Sequence, residues 1–262
     1  MKKKEFLSLY LVAVVVMMAL PFNGIHDVVE HASASPDIII NGDWTVSGYD
    51  EYNNETIVVY GHLIVQNGGH LVLRNCTLQM MSEYLQPYDI AVQNGGIMEV
   101  YGCYITDPPD DDDLDVLSPY YYFYAEGGST LIIENSTIRQ CGFLDSVNPE
   151  HIGLHVGTNQ GHISNCLINS TMTGFSFMGN NTGFRVDNVT FAQIGMSALH
   201  TLDSEGFVLN NIKFIDVEEK AVMNIQSSNN FYVENVTLTG EQLIYVQGST
   251  DFAVKSIISN MS

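Results

Sequence analysis

Residues 184–191 read FRVDNVTF, and the same pattern returns as FVLNNIKF at residues 207–214 and as FYVENVTL at residues 231–238. Apolar residues alternate with polar ones, as in a strand with one buried face, but the alternation slips by one residue at the central Asn. Such a slip would turn the apolar set outward unless the chain bends at that point. Because Asn enters the left-handed backbone region at low cost, we predict a sharp corner at this residue.

The pattern occurs eight times along the chain, and its corner residue is Asn in six copies. The eight corners are Asn75, Gly102, Asn135, Asn165, Asn188, Asn211, Asn235 and Ser256. The last four intervals between corners are 21 to 24 residues long, which fits one coil of a solenoid with short strands. If coils stack about 4.8 Å apart, the six Asn amides would form a buried ladder along the axis.

We therefore predict an all-β fold, a right-handed parallel β-helix of about eight rungs. A β-sandwich is the alternative, whereas a leucine-rich repeat is excluded because the sequence has neither helical stretches nor the matching Leu pattern. The predicted parts are an export segment over residues 1–34, an N-terminal cap over residues 35–60 and the repeats over residues 61–262. Because the open edge of the last rung needs a cover, self-assembly or continuation of the stack is expected there.

The N-terminal segment indicates export. Three Lys at residues 2–4 precede an apolar run over residues 6–20, and Ala-Ser-Ala at residues 32–34 has the form of a signal-peptidase site. The stretch between the run and this site is long for a cleavage region, so the run is either a signal peptide or a retained membrane anchor. Both alternatives predict a secreted or cell-surface protein.

The net charge of the chain limits which molecules it can bind. The chain has 9 basic and 30 acidic residues, a formal net charge of −21. Nucleic acid is excluded, because phosphate binding needs clustered Lys and Arg. The same field repels polyanionic sugars unless a cation lies between them. Other extracellular or envelope glycans are the partners that we expect.

Three longer intervals carry insertions after the strand that follows the corner, at residues 79–88, 106–119 and 142–151. We expect the insertions to lie on one edge of the solenoid, where repeat proteins often build a binding face. Their acids and tyrosines form the predicted ligand-binding edge, which consists of Glu83, Tyr84, Tyr88, Tyr120, Tyr121, Tyr122, Asp145 and Glu150.

The middle insertion concentrates carboxylates, which suit Ca²⁺, a hard ion that takes about six to eight oxygen ligands. The candidate metal ligands are Asp107, Asp110, Asp111, Asp112, Asp113 and Asp115. Their spacing is not that of an EF-hand loop. The alternative is a solvated acidic loop without an ion.

The repeat also changes the interpretation of the cysteines and of the Asn-x-Ser/Thr sequons. Four Cys in an exported protein would ordinarily form disulfides, but here they fall at inward positions and are core residues by default. Only Cys76 and Cys103 lie at equivalent sites of adjacent rungs, where a disulfide is the alternative to free thiols. If the corner amides are buried, the glycan acceptors are instead Asn54, Asn169 and Asn180.

Catalysis is the less favoured interpretation, and no catalytic residue is assigned. Acids are plentiful, but no pair stands out as the two carboxylates of a glycosidase. The three arginines match no motif of a lyase or polygalacturonase, and a Gly-x-Ser-x-Gly elbow is lacking. The histidines His151, His155 and His162 surround one rung and form either a surface metal site or ordinary surface positions.

Two segments carry a resemblance to a known family: NGDWTVSGYDEYNNETIVVYGHLIVQNGGHLVLRNCTLQM at residues 41–80 and YYFYAEGGSTLIIENSTIRQCGF at residues 121–143. They resemble the pectin-lyase-like right-handed β-helix superfamily, and more closely the secreted or cell-surface β-helix proteins common in archaea. The similarity covers nearly all of residues 37–262 and is specific for fold and compartment, not for activity. We expect a non-catalytic extracellular module for adhesion, envelope structure or glycan binding, with a polysaccharide lyase or glycoside hydrolase as the alternative.

Overall fold

The structure, a computed structural model, describes residues 36–82, 87–107, 121–142, 148–219, 221–239 and 241–260. Over these residues the chain forms parallel β-strands and one short 3-10 turn, and no α-helix occurs among them. None of the described segments is a helix long and apolar enough to cross a membrane.

The first four coils use separate short strands before and after the corner. Strand β1 (Ile38–Asn41) precedes the first coil. The strands of the first four coils are, in chain order, β2 (Trp44–Val46), β3 (Tyr49–Asn53), β4 (Thr56–Tyr60), β5 (Leu63–Val65), β6 (His70–Arg74), β7 (Thr77–Met80), β8 (Asp89–Val92), β9 (Ile97–Tyr101), β10 (Tyr104–Thr106), β11 (Tyr122–Ala125), β12 (Thr130–Glu134) and β13 (Thr137–Arg139).

The 3-10 turn Pro149–His151 leads into the fifth coil, and from there one long bent strand runs through each corner. The remaining strands are β14 (Leu154–Val156), β15 (Gln160–Thr171), β16 (Phe175–Asn180), β17 (Arg185–Ile194), β18 (Leu199–Glu205), β19 (Val208–Val217), β20 (Ala221–Gln226), β21 (Tyr232–Thr239), β22 (Leu243–Gln247) and β23 (Ala253–Asn260).

The strands stack into two parallel sheets. Sheet B takes one strand from each coil, in the order β2, β5, β8, β11, β14, β16, β18, β20 and β22. Sheet A contains the other strands and bends at the corner, which divides it into a pre-corner face and a post-corner face. Each coil visits sheet B, the pre-corner face and the post-corner face in turn. This repetition is a parallel β-helix, as predicted.

The corner residues adopt the left-handed conformation that the slip in alternation predicts. Their φ angles lie between 51° and 65° at all eight positions. Asn54 has the same conformation, with a φ of 59°, and β3 pairs in register with β6. Asn54 is therefore the corner of a further coil. Residues 38–60 continue the regular stack, so the separate cap predicted for residues 35–60 is wrong.

The side chains of the corner Asn residues are exposed, and the predicted buried ladder is wrong. At a convex left-handed corner the side chain leaves the core, while the residue that follows it points inward. Two corner side chains are linked directly, since Nδ2 of Asn188 donates to Oδ1 of Asn165 at 2.8 Å. Nδ2 of Asn235 donates instead to Oδ1 of Asn210, the residue before the adjacent corner, at 2.9 Å. We call this exposed line of residues the corner ridge: Asn54, Asn75, Gly102, Asn135, Asn165, Asn188, Asn211, Asn235 and Ser256.

The core is built from columns of inward residues, one from each coil. Aromatic rings fill one column in the later coils, where Phe207 stacks on Phe231 with 5.1 Å between ring centroids. On its other side Phe207 stacks on Phe177 of sheet B at 5.2 Å. Phe231 in turn stacks on Phe252 at 4.8 Å. The parallel register puts like residues one above another, so a single hydrophobic column runs through consecutive coils.

The four cysteines are free and buried, so the disulfide between Cys76 and Cys103, given above as the alternative to free thiols, is not formed. Both residues point inward just after a corner, where they act as core residues. The backbone N–H of Cys76 donates to Sγ of Cys103 at 3.4 Å, and the N–H of Cys103 donates to Oγ of Ser136 at 3.0 Å. The sulfur of Cys103 therefore accepts a backbone N–H from the neighbouring coil instead of forming a bond to the sulfur of Cys76.

Candidate functional site

The predicted ligand-binding edge is only partly within the described residues. All three insertions connect the post-corner face to sheet B. Four predicted edge residues and most of the predicted metal ligands lie outside the described ranges: Glu83, Tyr84, Tyr120 and Asp145, with Asp110, Asp111, Asp112, Asp113 and Asp115. The described edge residues are Tyr88, Tyr121, Tyr122 and Glu150, and the described candidate metal ligand is Asp107.

A cluster of side chains lies at sheet B near these insertions, and we call it the histidine–tyrosine patch: His62, Asp89, Tyr122 and His151, together with Tyr88, which stands at an inward position and packs partly against the core. Alternation along the strands explains its orientation, because Ile90 and Phe123 point into the core and their neighbours Asp89 and Tyr122 point out. Asp89 and Tyr122 are partners in adjacent strands β8 and β11. The parallel register therefore places a carboxylate beside a tyrosine on a rigid surface.

His62 is fixed against the first residue of β8. Its Nδ1 lies 3.2 Å from Oδ2 of Asp89 and accepts the backbone N–H of Asp89 at 3.1 Å. These two contacts use opposite protonation states: neutral Nδ1 accepts the N–H, and protonated Nδ1 donates to the carboxylate. The backbone N–H of His62 is held by Oδ1 of Asp43 at 3.0 Å. The imidazole is thus anchored to Asp89 in either state.

Aromatic contacts surround this pair. The rings of Tyr88 and His62 meet edge to face, with centroids 5.5 Å apart. The rings of Tyr122 and His151 are stacked at 3.7 Å with an interplanar angle of 6°. His151 also lies 2.9 Å from Nδ2 of Asn148 through its Nε2. Two tyrosines and two imidazoles, all half-buried, therefore flank one carboxylate.

Burial raises the pKa of two acidic groups in and beside the patch, Asp89 and Tyr124. Burial raises the pKa of Asp89 above its ordinary value, and the neighbouring His62 and His151 oppose that rise. Burial, with Asp89 and Glu150 nearby, raises the pKa of Tyr124 to about 12. Tyr124 lies on the outer side of β11, two residues beyond Tyr122, and remains a hydroxyl donor at neutral pH. Glu150 is exposed beside His151.

The pair His155 and Ser176 does not form a nucleophilic site. Nδ1 of His155 lies 2.9 Å from Oγ of Ser176, and that hydroxyl donates its proton to the carbonyl of Ile152. Burial lowers the pKa of His155 to about 4, so its imidazole is neutral near pH 7. The two side chains hold the segment around Ile152 onto sheet B.

Tyr121 and Asp107 are not surface residues, and their predicted roles at the edge are wrong. Tyr121 has the inward parity of Phe123, and its side chain is completely buried. Thr106 pairs with Gln79, so Asp107 occupies the inward position that Met80 fills one coil earlier. Its Oδ1 accepts the backbone N–H of Ser82 at 3.3 Å, and Oδ2 is buried without a partner.

Burial raises the pKa of Asp107 to about 8. Within the described ranges no group of three or more His, Cys, Asp or Glu side chains could hold a metal ion.

The predicted glycan acceptors fall into two classes. Asn54 and Asn180 are exposed. Asn169 is only 7% exposed, and its Oδ1 is buried without a hydrogen-bond partner. The burial of Asn169 in the folded chain therefore disfavours a sugar on its amide.

The pre-corner face carries a second set of polar residues. Nε2 of His70 lies 2.9 Å from Oε1 of Glu99, and Nε2 of His162 lies 2.7 Å from Oε1 of Glu134. Tyr101 donates its hydroxyl to Oε2 of Glu99 at 2.7 Å and pairs with Glu134 on the adjacent strand. The two carboxylates are thus strand-borne and lie diagonally across neighbouring coils.

Sequence reasoning assigned no role in a site to His62 or Asp89, and gave His151 only as part of a metal cluster that the described structure does not contain. The sequence does contain a signal for the position of His62 and Asp89. Each directly precedes an inward residue of sheet B, Leu63 and Ile90 respectively, so each stands at an outward position. Comparison of the chain with protein-family models, with curated proteins and with solved structures found no match.

Proposed function

We propose that this protein is a non-catalytic extracellular or cell-surface module that binds glycans through the histidine–tyrosine patch. The observation that carries the proposal is the arrangement of His62, Tyr122 and His151 around Asp89 at sheet B, with the ring of Tyr88 against His62. Adhesion and envelope structure are the roles to which such binding would contribute.

The chemistry of the patch suits a neutral or amino sugar. Tyrosine combines an apolar ring, which packs against the C–H face of a pyranose, with a hydroxyl that hydrogen-bonds to sugar oxygens. Asp89 accepts hydroxyl or ammonium hydrogens, and the imidazoles supply further donors and acceptors. Strands hold Asp89 and Tyr122, and hydrogen bonds hold the two imidazoles, which reduces the entropy lost on binding.

The net charge narrows the choice of glycan. At −21 the protein repels a polyuronate or a sulfated chain, whereas a neutral or cationic glycan is not repelled. Ca²⁺ assistance by the acidic insertion is part of the proposal. Its candidate ligands at residues 110–113 and 115 lie outside the described ranges.

Family and compartment are also proposed. The chain fits the pectin-lyase-like superfamily, in the group of secreted or surface β-helix proteins common in archaea, on the resemblance of residues 41–80 and 121–143. The basic and apolar segment at residues 2–20 supports export.

A glycan array tests the proposal. The full chain is applied with Ca²⁺ and again with a chelator, beside Asp89→Asn and the control Asp187→Asn, which alters an exposed residue of the pre-corner face. We expect neutral or amino glycans to bind the wild type and the control, and Asp89→Asn to lose most of the signal. Equal signals from both variants would contradict the assignment of the patch.

Hydrolysis or elimination of a polysaccharide is the second candidate, and it is favoured by Glu99 and Glu134. One strand spacing of about 4.8 Å and two residues of about 3.3 Å along the strand put their Cα atoms roughly 8 Å apart. Inverting glycosidases hold their two carboxyl groups about 6.5–9.5 Å apart. Reducing-sugar and unsaturated-uronate assays on the array hits distinguish the candidates. Turnover that Glu99→Gln or Glu134→Gln abolishes would favour the enzyme.

A further inference from the structure

The corner ridge carries a regular series of N-glycosylation sequons. Five of its residues begin Asn-x-Thr: Asn54, Asn75, Asn135, Asn188 and Asn235. All five side chains are exposed, and all five residues have positive φ. Exposure at a convex corner is the condition that a folded protein must meet to carry a bulky sugar on the amide.

From the second coil onward the sequons fall on every second coil. The residues two places after each corner pair directly with one another across the post-corner face. In coil order they are Thr77, Tyr104, Thr137, Leu167, Thr190, Lys213, Thr237 and Ile258. Threonine alternates strictly with a larger residue, so an acceptor recurs after two strand spacings, about 10 Å along the axis.

The left-handed conformation explains why Asn occurs at the corners, but it does not explain why Thr follows two residues later. Asn165 and Asn211 make the same left-handed corner and are followed two residues later by Leu167 and Lys213. The fold therefore accepts Asn at a corner without a sequon. Packing of small threonines between large neighbours on the outer face is the competing explanation for the alternation.

The geometry of the ridge leaves room for sugars at this spacing. A pyranose ring is wider than one strand spacing, so acceptors on adjacent coils would collide and acceptors two coils apart would not. Beside Asn75 the next corner is Gly102, which has no side chain on the ridge. The bond from Nδ2 of Asn188 to Asn165 needs one hydrogen, and a glycosylated amide retains one.

We infer that Asn75, Asn135, Asn188 and Asn235 carry N-linked glycans, which form a single row along the corner ridge. Asn54 lies one coil from Asn75, so these two acceptors are modified on different molecules. The inference rests on the export that belongs to the proposed function.

The modification is a transfer from a polyprenyl-phosphate-linked sugar. The bond from C1 of the sugar to the phosphate oxygen breaks, and the bond from Nδ2 to C1 forms. Nδ2 loses one proton, and the lipid phosphate leaves. The donor and the transferase belong to the secretory membrane through which the chain would pass.

Glycopeptide mapping tests the inference. The full chain is placed behind the secretion leader of a host that performs N-glycosylation, and the secreted protein is analysed before and after amidase treatment, which converts glycosylated Asn to Asp. We expect more than half of the molecules to be modified at each of the four acceptors and none at Asn169. Thr137→Ala, which keeps the corner Asn135, should lose the glycan at that site alone.

A gain-of-sequon variant separates glycan spacing from packing. Leu167→Thr creates a sequon at Asn165, one coil from Asn135 and from Asn188. We expect any occupancy of Asn165 to be matched by a loss at those two neighbours. Simultaneous full occupancy of all three would overturn the spacing argument.

Secreted, folded protein with an unmodified ridge would overturn the inference, whether or not Asn180 is modified. The glycan array of the proposed function uses protein made without glycosylation. Its result therefore does not depend on that of the mapping.

Discussion

Asp107 places a carboxyl in a core position, and replacing it should stabilise the protein in a pH-dependent way. The equivalent position one coil earlier holds Met80, which is completely buried. Asp107→Met therefore fits a side chain that the column already accepts and removes an unpartnered buried oxygen. We expect the variant to be more stable than the wild type at neutral pH.

The size of the stability advantage of Asp107→Met follows from the pKa of the Asp107 carboxyl. Burial raises the pKa of Asp107 from 3.8 to about 8, so between these values the folded state binds more protons than the unfolded state. Wild-type stability must then fall as the pH rises through this window. At about 1.36 kcal/mol for each pKa unit, the advantage of Asp107→Met should grow by up to roughly 4 kcal/mol between pH 5 and pH 8. Other titrating groups also change the stability with pH, such as His155, whose lowered pKa acts with the opposite sign. Their contributions cancel in the difference between the wild type and Asp107→Met.

Urea unfolding at pH 5, 6.5 and 8 measures the effect. Asp203→Asn is the control, since Asp203 is exposed and has the positive φ that Asn also tolerates. Its stability difference from the wild type should stay constant with pH. A constant difference for Asp107→Met would refute the placement of this carboxyl in the core.

Three further predictions concern the coils. Asn188→Ala should lower the free energy of unfolding by about 1–2 kcal/mol because of its left-handed backbone, while Asn188→Gly should change it little in urea unfolding. Cys103→Ser should be tolerated, whereas Cys103→Ala should lower the free energy of unfolding by about 1 kcal/mol or more, because only Ser keeps an acceptor for the N–H of Cys76. A greater loss of stability in the Ser variant than in the Ala variant would contradict this contact. Phe207→Ala should lower the free energy of unfolding by about 3–5 kcal/mol in the same assay. Phe252→Ala should lower it far less, because Phe252 is 44% exposed. Equal losses in the two variants would refute the stacked column.

The parallel β-helix could be predicted because one local signal, the slip in alternation at Asn188 and its equivalents, has a single backbone solution. The same signal gave the inward parity of Cys76 and Cys103. It did not reveal that the side chain of a left-handed residue points outward. For this reason the sequence predicts a buried amide ladder and favours Asn54, Asn169 and Asn180 as glycan acceptors over Asn75, Asn135, Asn188 and Asn235.

The candidate site was harder to predict because it depends on register between coils of unequal length. Asp89 and Tyr122 become neighbours only when the insertion of residues 106–119 is skipped and β8 is paired with β11. Asp107 was assigned to a loop because it begins an acidic run, whereas the strand parity of Thr106 carries it into the core. Composition pointed to the insertions, but only the strand pairing brought Asp89 and Tyr122 of the histidine–tyrosine patch together.

The affinity of the patch for an oligosaccharide is the decisive quantity. Calorimetric titration of the strongest array ligand compares the wild type, Tyr122→Ala and Tyr245→Ala, the last being an exposed outward tyrosine of the same sheet in the final described coil. We predict that Kd rises at least about tenfold for Tyr122→Ala, a loss of about 1.4 kcal/mol, and stays unchanged for Tyr245→Ala. Unchanged affinity in Tyr122→Ala, or an equal loss in both variants, would contradict glycan binding at the histidine–tyrosine patch.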